Sequence, residues 1–212
     1  MASKVLLSTA YLGPIQYFTK FLLGKEVFIE NYETFQKQTY RNRCVIMSAN
    51  GPIPLVIPVQ KGSFHKLPVN KIEIDYTKKW QTNHWCAIEA AYNSTPFFEY
   101  YMDDLKPFYK DKTRFLVDFN TRIMNKIFEL AGYKYSFSFS RQFISNKENK
   151  TDIDCRSNIR PKNLVKDPHF LEVPYHQAFE DRFGFIPNLS ILDLLCNIGP
   201  DTTLYLKNCI KD

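Results

Sequence analysis

The chain has 212 residues, 44% of them hydrophobic, 24% charged and 16% aromatic, with 7 Gly, 12 Pro and 5 Cys. Each of three classes, a disordered tail, a collagen-like repeat and a disulfide-dense mini-scaffold, needs a composition far from this one and is excluded. The 28 basic and 22 acidic residues give a formal charge of +6, which favours an anionic partner.

The length suits one globular unit over residues 1–212, with two tightly joined subdomains as the variant. Basic residues gather only in short knots, Lys37 with Arg41 and Arg43, and Lys78 with Lys79, which argues against the basic stripe of a nucleic-acid binder. Cys44, Cys86, Cys155, Cys196 and Cys209 are odd in number, lack metal-ligand spacing and follow no secretory leader, so reduced thiols in a cytoplasm are expected. The longest apolar runs, Val5 to Leu7 and Leu55 to Val59, fall far short of the roughly 18 residues that a bilayer span requires.

In chain order, Val5 to Leu7 predicts a short strand, and Ile15, Tyr17, Phe18, Phe21 and Leu22 predict an amphipathic helix starting near Pro14. Glu26 to Glu30 predicts a second, buried strand, so that the chain opens on a parallel βαβ-type unit. Arg43 to Ser48 and Ile53 to Val59, around Asn50-Gly51, predict a hairpin whose prolines 52, 54 and 58 confine its second arm to an edge. Lys71 to Asp75 alternates and predicts a fifth strand. Residues 1–76 are therefore sheet-rich. From Trp80 the period becomes helical: one helix carries His84, Ile88, Ala91 and Tyr92, a second starts at Pro96 behind a Thr95 cap, and a third runs from Phe115 to Ala131 with Gly132 closing it. The helical block thus spans 80–132. Residues 145–187 read as loop-rich, with Ser145 to Asp167 polar and aperiodic. Helices return at 189–210, capped by Asn188 or Ser190 and by Asp201. The fold class is mixed α and β (α+β): a small mixed sheet with a βαβ start and a hairpin, packed against a mainly helical second half.

No phosphate-binding glycine loop, paired-His zinc motif or Gly-x-Ser-x-Gly elbow is present, and no metal or cofactor is expected. Three constellations remain. Lys37 to Arg43 crowds cationic and amide donors before the hairpin and suits a carboxylate or phosphate, or a solvated loop with Arg43 salt-bridged to the scaffold. His84 between Trp80 and Trp85 suits a proton carrier or a satisfied core histidine, while Cys86 points about 200° away from it on a helix. His65, His169 and His176 have weaker contexts. Asn120 stands on an otherwise apolar stripe and either lines a polar pocket or ties a neighbouring loop's backbone.

The order Tyr11-Leu12-Gly13-Pro14-Ile15-Gln16-Tyr17-Phe18, Glu30, Lys37, Asn42-Arg43-Cys44-Val45-Ile46, Leu55 to Val59, Ile72 to Asp75, Trp80, Ala91 to Phe98, Asn120 and Asn188 to Asp193 resembles the WbqC-like family. The resemblance implies a bacterial protein associated with surface-polysaccharide (O-antigen) gene clusters, and a cytoplasmic transferase that moves an amino acid such as glycine onto an amino sugar. By position it implies Lys37, Asn42, Arg43 and Asn120 as substrate-binding residues and Glu30, with His84, as catalytic ones. The substrate it implies is an anionic small molecule, a sugar nucleotide or an amino acid. The chain departs from the family pattern at three places: Ser8-Thr9 replaces Gln-Pro, Glu30-Asn31 replaces a pair of aspartates, and Asp154 to Asn158 replaces a glycine-rich stretch. The residues leave two classes open, that transferase and a non-catalytic binding or assembly protein for glycan-synthesis enzymes, with nucleic-acid binding ranked below both.

Overall fold

The structure is a computed structural model that describes residues 2–60, 67–145, 153–162 and 166–211. His65 lies outside these residues, as do parts of the Ser145 to Asp167 segment. Strand β1 (Ala2–Ser8) leads through Pro14 into helix α1 (Ile15–Leu23), which runs with no intervening loop into β2 (Gly24–Glu30). The abrupt junction needs glycine, since a Cβ on Gly24 would sit 2.6 Å from Val5 Cγ2. β1 and β2 pair in parallel, Val5 opposite Val27 and Ser8 opposite Glu30, as expected of a βαβ opening. Two short strands complete the sheet, β5 (Ser138–Phe139) beside β2 and β6 (Ile153–Asp154) beside β1, in the order β5-β2-β1-β6 with every pairing parallel.

The hairpin forms from β3 (Arg43–Ser48) and β4 (Gly51–Val56). Ser48 pairs with Gly51, so the tip is Ala49-Asn50, and Pro52 and Pro54 face solvent on a strand with one neighbour. The strand expected at Lys71 to Asp75 does not form. Lys71 N bonds back to Pro68 O and makes Val69–Lys71 a 3-10 turn, after which Glu73 and Ile74 make only isolated bridges to Phe115 and Val59.

Three helices follow, α2 (Trp80–Tyr92), α3 (Phe98–Leu105) and α4 (Leu116–Leu130). α3 starts two residues later than the Thr95-Pro96 pair suggests, because the Thr95 hydroxyl donates backward to Tyr92 O at 2.6 Å and closes a turn behind α2. α4 ends as predicted: Gly132, at φ +63°, lets its N–H reach Glu129 O while Tyr133 N reaches Phe128 O. After the short α5 (Glu180–Phe183), Ser190 caps α6 (Ile191–Ile198), its Oγ accepting from Leu192 N. The final helix, α7 (Thr202–Asn208), is entered through a 3-10 turn, and Asp201 stands at its start without a side-chain capping bond.

Phe18 and Phe21 of α1 meet Phe128 of α4 at ring-centroid distances of 5.1 and 5.0 Å, locking the helical layer onto the sheet. Burying each such ring contributes about 1.5–3 kcal/mol. α2 and α6 pack against β3, so the hairpin lies between the two helical blocks. Among the described residues, no helix is long and apolar enough to cross a membrane. All five cysteines are free thiols, Cys86 exposed and the other four buried.

Candidate functional site

A parallel sheet directs its loops and its strand-end dipoles to one edge, and ligands of open parallel sheets bind outside the carboxyl ends where the strand order switches direction. Here that point lies at β1, which continues through α1 to β2 on one side and meets the much later β6 on the other. Two crevices open at this edge, one of about 550 Å³ and one of about 680 Å³. Arg160 lines both. Tyr40 belongs to the larger and Arg41 to the smaller, and the pair also borders a small cavity between them with Ser8, Thr9 and Cys155. The result is one polar basin around Tyr40, Arg41 and Arg160.

Its walls are built from buried ion pairs. Arg41, 2% exposed, donates from Nε and Nη2 to the two oxygens of Glu33 at 2.9 and 2.5 Å, and from Nη2 to Ser8 Oγ at 2.8 Å. Arg156 grips Asp154 with Nη2 at 2.7 Å and Nε at 3.1 Å, gives Nη1 to the Ile144 carbonyl at 2.7 Å, and lies 3.4 Å from Glu30 Oε2. Burial opposes charge on Arg156, and the Asp154 and Glu30 carboxylates reverse that and hold its pKa above the ordinary arginine value. On the other side, the fully buried Lys20 of α1 holds Asp167 at 2.6 Å, and Gln16 donates to the same oxygen at 2.7 Å. Burial pushes the Asp167 carboxyl up, but Lys20, Gln16 and the His169 N–H outweigh it and keep it below the usual range. Asp167 therefore stays ionised as a fixed part of the wall.

Arg160 differs from these. Its Nη2 donates to Gln36 Oε1 at 3.2 Å, and its Nε is buried with no hydrogen-bond partner among the described residues. Arg160 therefore places a guanidinium, a permanent cation, at the junction of the two crevices. Burial raises the Tyr40 phenol to about 12 and the Cys155 thiol to about 12, so both face the basin as neutral groups. Among the described residues, no three His, Cys, Asp or Glu side chains gather as a metal ion would require.

Of the residues singled out in the sequence, the Lys37 to Arg43 stretch does border the basin, through Tyr40 and Arg41. Lys37 is exposed on the same loop, outside both crevices. Asn42 turns inward and donates to Ile57 O at 2.8 Å. Arg43 opens β3 opposite Val56, half-buried, with its Nε unpartnered among the described residues, and lines neither crevice. Asn120 donates to Thr9 Oγ1 at 3.1 Å and to Arg41 O at 2.8 Å, tying together the loops that follow β1 and precede β3. Glu30 is fully buried beneath Arg156 and accepts from Ser140 Oγ, Tyr32 N and Ile144 N at 2.6, 2.9 and 2.9 Å. His84 lies on α2 behind the basin, its Nδ1 3.0 Å from Tyr11 Oη, which is 2.9 Å from Tyr109 Oη. Burial lowers its pKa to about 4, opposed by a hydrogen bond to the Val56 backbone, so the ring is neutral at neutral pH.

Arg156 and Arg160 had no motif to mark them. A signal did exist: Ser8-Thr9, Glu30-Asn31 and Asp154 to Asn158, the three departures from the family pattern, meet at the carboxyl ends of β1, β2 and β6.

The WbqC-like protein family model matches residues 9–169, a span that includes α1, the hairpin, α2 to α4 and most of the basin. The chain belongs to this family. It is also 26% identical over 231 aligned positions to the "Uncharacterized protein Rv1507c" of Mycobacterium tuberculosis (strain ATCC 25618 / H37Rv), covering 99% of each chain. No solved structure matches it significantly. The match to the WbqC-like family ends at 169, just past Asp167, so α6 and α7 lie beyond the matched span.

Proposed function

We propose that this WbqC-like protein is a cytoplasmic transferase of bacterial surface-polysaccharide synthesis that binds an anionic substrate, a sugar nucleotide or an amino acid, in the basin around Arg160. The observation that supports the binding part is the Arg160 guanidinium lining both crevices where they join, with its buried Nε lacking a partner among the described residues. Their volumes, about 550 and 680 Å³, lie within the roughly 300–1,000 Å³ of ordinary small-molecule sites. Two adjoining crevices also suit a donor and an acceptor held side by side. The transfer chemistry rests on the family resemblance. In it the acceptor amine of the sugar attacks the acyl carbon of an activated amino acid, a C–N bond forms, the activating group leaves with its electron pair, and the amine proton passes to a base. In this reading Glu30 fixes Arg156 and His84 fixes Tyr11, each as a positioning residue.

The test is a melting-temperature and calorimetric screen of the chain against sugar nucleotides, amino acids and acyl-activated amino acids, with mass-spectrometric detection of product. A ligand that binds the parent and loses affinity about tenfold or more in Arg160→Gln is expected, since hydrogen bonds to charged groups are worth about 1.5–3 kcal/mol. Absence of any such ligand overturns the site. Binding without turnover for every donor and acceptor pair overturns the transferase and leaves a binding protein.

A further inference from the structure

Phe143 is 52% exposed and lines the 550 Å³ crevice, in a protein whose other phenylalanines are mostly buried or half-buried. It does not lie loose. The Arg156 guanidinium packs over its ring, with Cζ 5.6 Å from the centroid. That guanidinium is itself fixed by Asp154 and the Ile144 carbonyl. The ring is thus backed on one face by that guanidinium and about half exposed. A cation on one face of a phenyl ring draws π density toward itself, which leaves the other face electron-poor. Such a face favours offset stacking with an electron-rich heteroaromatic ring over contact with the C–H face of a sugar.

The same crevice reaches Arg160. Its planar donors fit phosphate oxygens, and its Nε is buried without a partner among the described residues. One crevice therefore offers an aromatic platform and the Arg160 guanidinium. We infer that its ligand is a nucleoside diphosphate or a derivative of one, with the base stacked on Phe143 and the phosphates on Arg160. This rests on the anion-binding reading of the basin and narrows its substrate class to nucleotides, with the base read by an aromatic face. Ser157 and Asn158, exposed on the same wall, are placed to meet the edge of that base.

The experiment is calorimetric titration of the whole chain with UDP, ADP and inorganic pyrophosphate, for the parent, Phe143→Ala, Phe143→Trp and Arg160→Gln. At least one nucleoside diphosphate should bind the parent more tightly than pyrophosphate. Phe143→Ala should weaken that binding about tenfold and leave pyrophosphate unchanged, because it removes the surface on which the base stacks. Phe143→Trp should restore it, and Arg160→Gln should weaken both ligand types. Equal affinities for nucleoside diphosphate and pyrophosphate, with Phe143→Ala silent, overturn the inference while an Arg160-dependent pyrophosphate affinity keeps the anion site. No binding of any probe to the parent overturns the inference, and the anion site then stands only if an amino acid binds the parent and loses affinity in Arg160→Gln. Phe143 is largely exposed, so its variants should keep the parent circular dichroism spectrum and melting temperature.

Discussion

The Asn120 side chain donates to the main-chain carbonyl of Arg41 at 2.8 Å, joining residues 79 apart in sequence. Its second bond, to the Thr9 hydroxyl, makes one buried amide the clasp between the end of β1 and the loop that carries Tyr40 and Arg41. Asn120→Ala leaves the Arg41 carbonyl and the Thr9 hydroxyl without this partner in a dry interior. We expect a loss of about 1–3 kcal/mol in urea unfolding. We also expect weaker binding of whatever the basin holds, since the Arg41 loop is no longer fixed. Unchanged stability and binding would show that the clasp is dispensable.

Arg41 and Glu33 are both buried, and each is the other's charged partner. Removing one leaves a buried charge alone, so Arg41→Met should cost about 3–5 kcal/mol. Arg41→Met combined with Glu33→Leu should recover much of that loss. A double-mutant cycle by denaturant unfolding gives the coupling, and an additive result would deny that the pair acts as a unit.

His84 gives a stability that depends on acidity. Its folded pKa, about 4, lies below the ordinary 6.5 because burial disfavours the imidazolium. Between those values the unfolded chain binds the proton and the folded one does not. The contribution is therefore whole above pH 6.5 and lost as pH falls to about 4, by roughly 3 kcal/mol. His84→Gln should lack this loss when unfolding free energies are compared across that window.

Asp193 of α6 works in the opposite sense. Burial raises its pKa from 3.8 to about 6, against hydrogen bonds that include Tyr175 Oη at 2.5 Å. The folded chain then holds the proton that the unfolded chain releases. The resulting stabilisation is whole below pH 3.8 and disappears as pH rises through about 6, by roughly 3 kcal/mol. Asp193→Asn should remove this slope, so its difference from the parent changes sign relative to that of His84→Gln. Parallel unfolding titrations of both variants would expose either assignment as mistaken.

Much of the fold as far as Gly132 was legible because its signals are local. Pro14 and the spacing of Ile15, Phe18 and Leu22 set α1, Gly51 permits the hairpin, and Gly132 closes α4. β6 was not legible. Ile153 and Asp154 are two residues inside a polar stretch, and only their pairing with Val5 and Leu6 makes them a strand. For the same reason the basin's two arginines after β6 were hidden. Arg41 and Arg43 were indistinguishable as neighbours in a basic knot. The turn from Gln38, at φ +58°, sends Arg41 to the sheet's edge, while Arg43 enters β3.

β1 stays half-paired until β6 arrives: Ser8 contacts Arg156 across 148 residues. A nascent chain leaving the ribosome can assemble β1, α1 and β2, yet must keep one flank of β1 unpaired until Ile153 and Asp154 have been synthesised. High contact order of this kind slows folding and exposes a strand edge to aggregation. Chains truncated ahead of Ile153 should therefore accumulate as insoluble material even though each retained helix is intact.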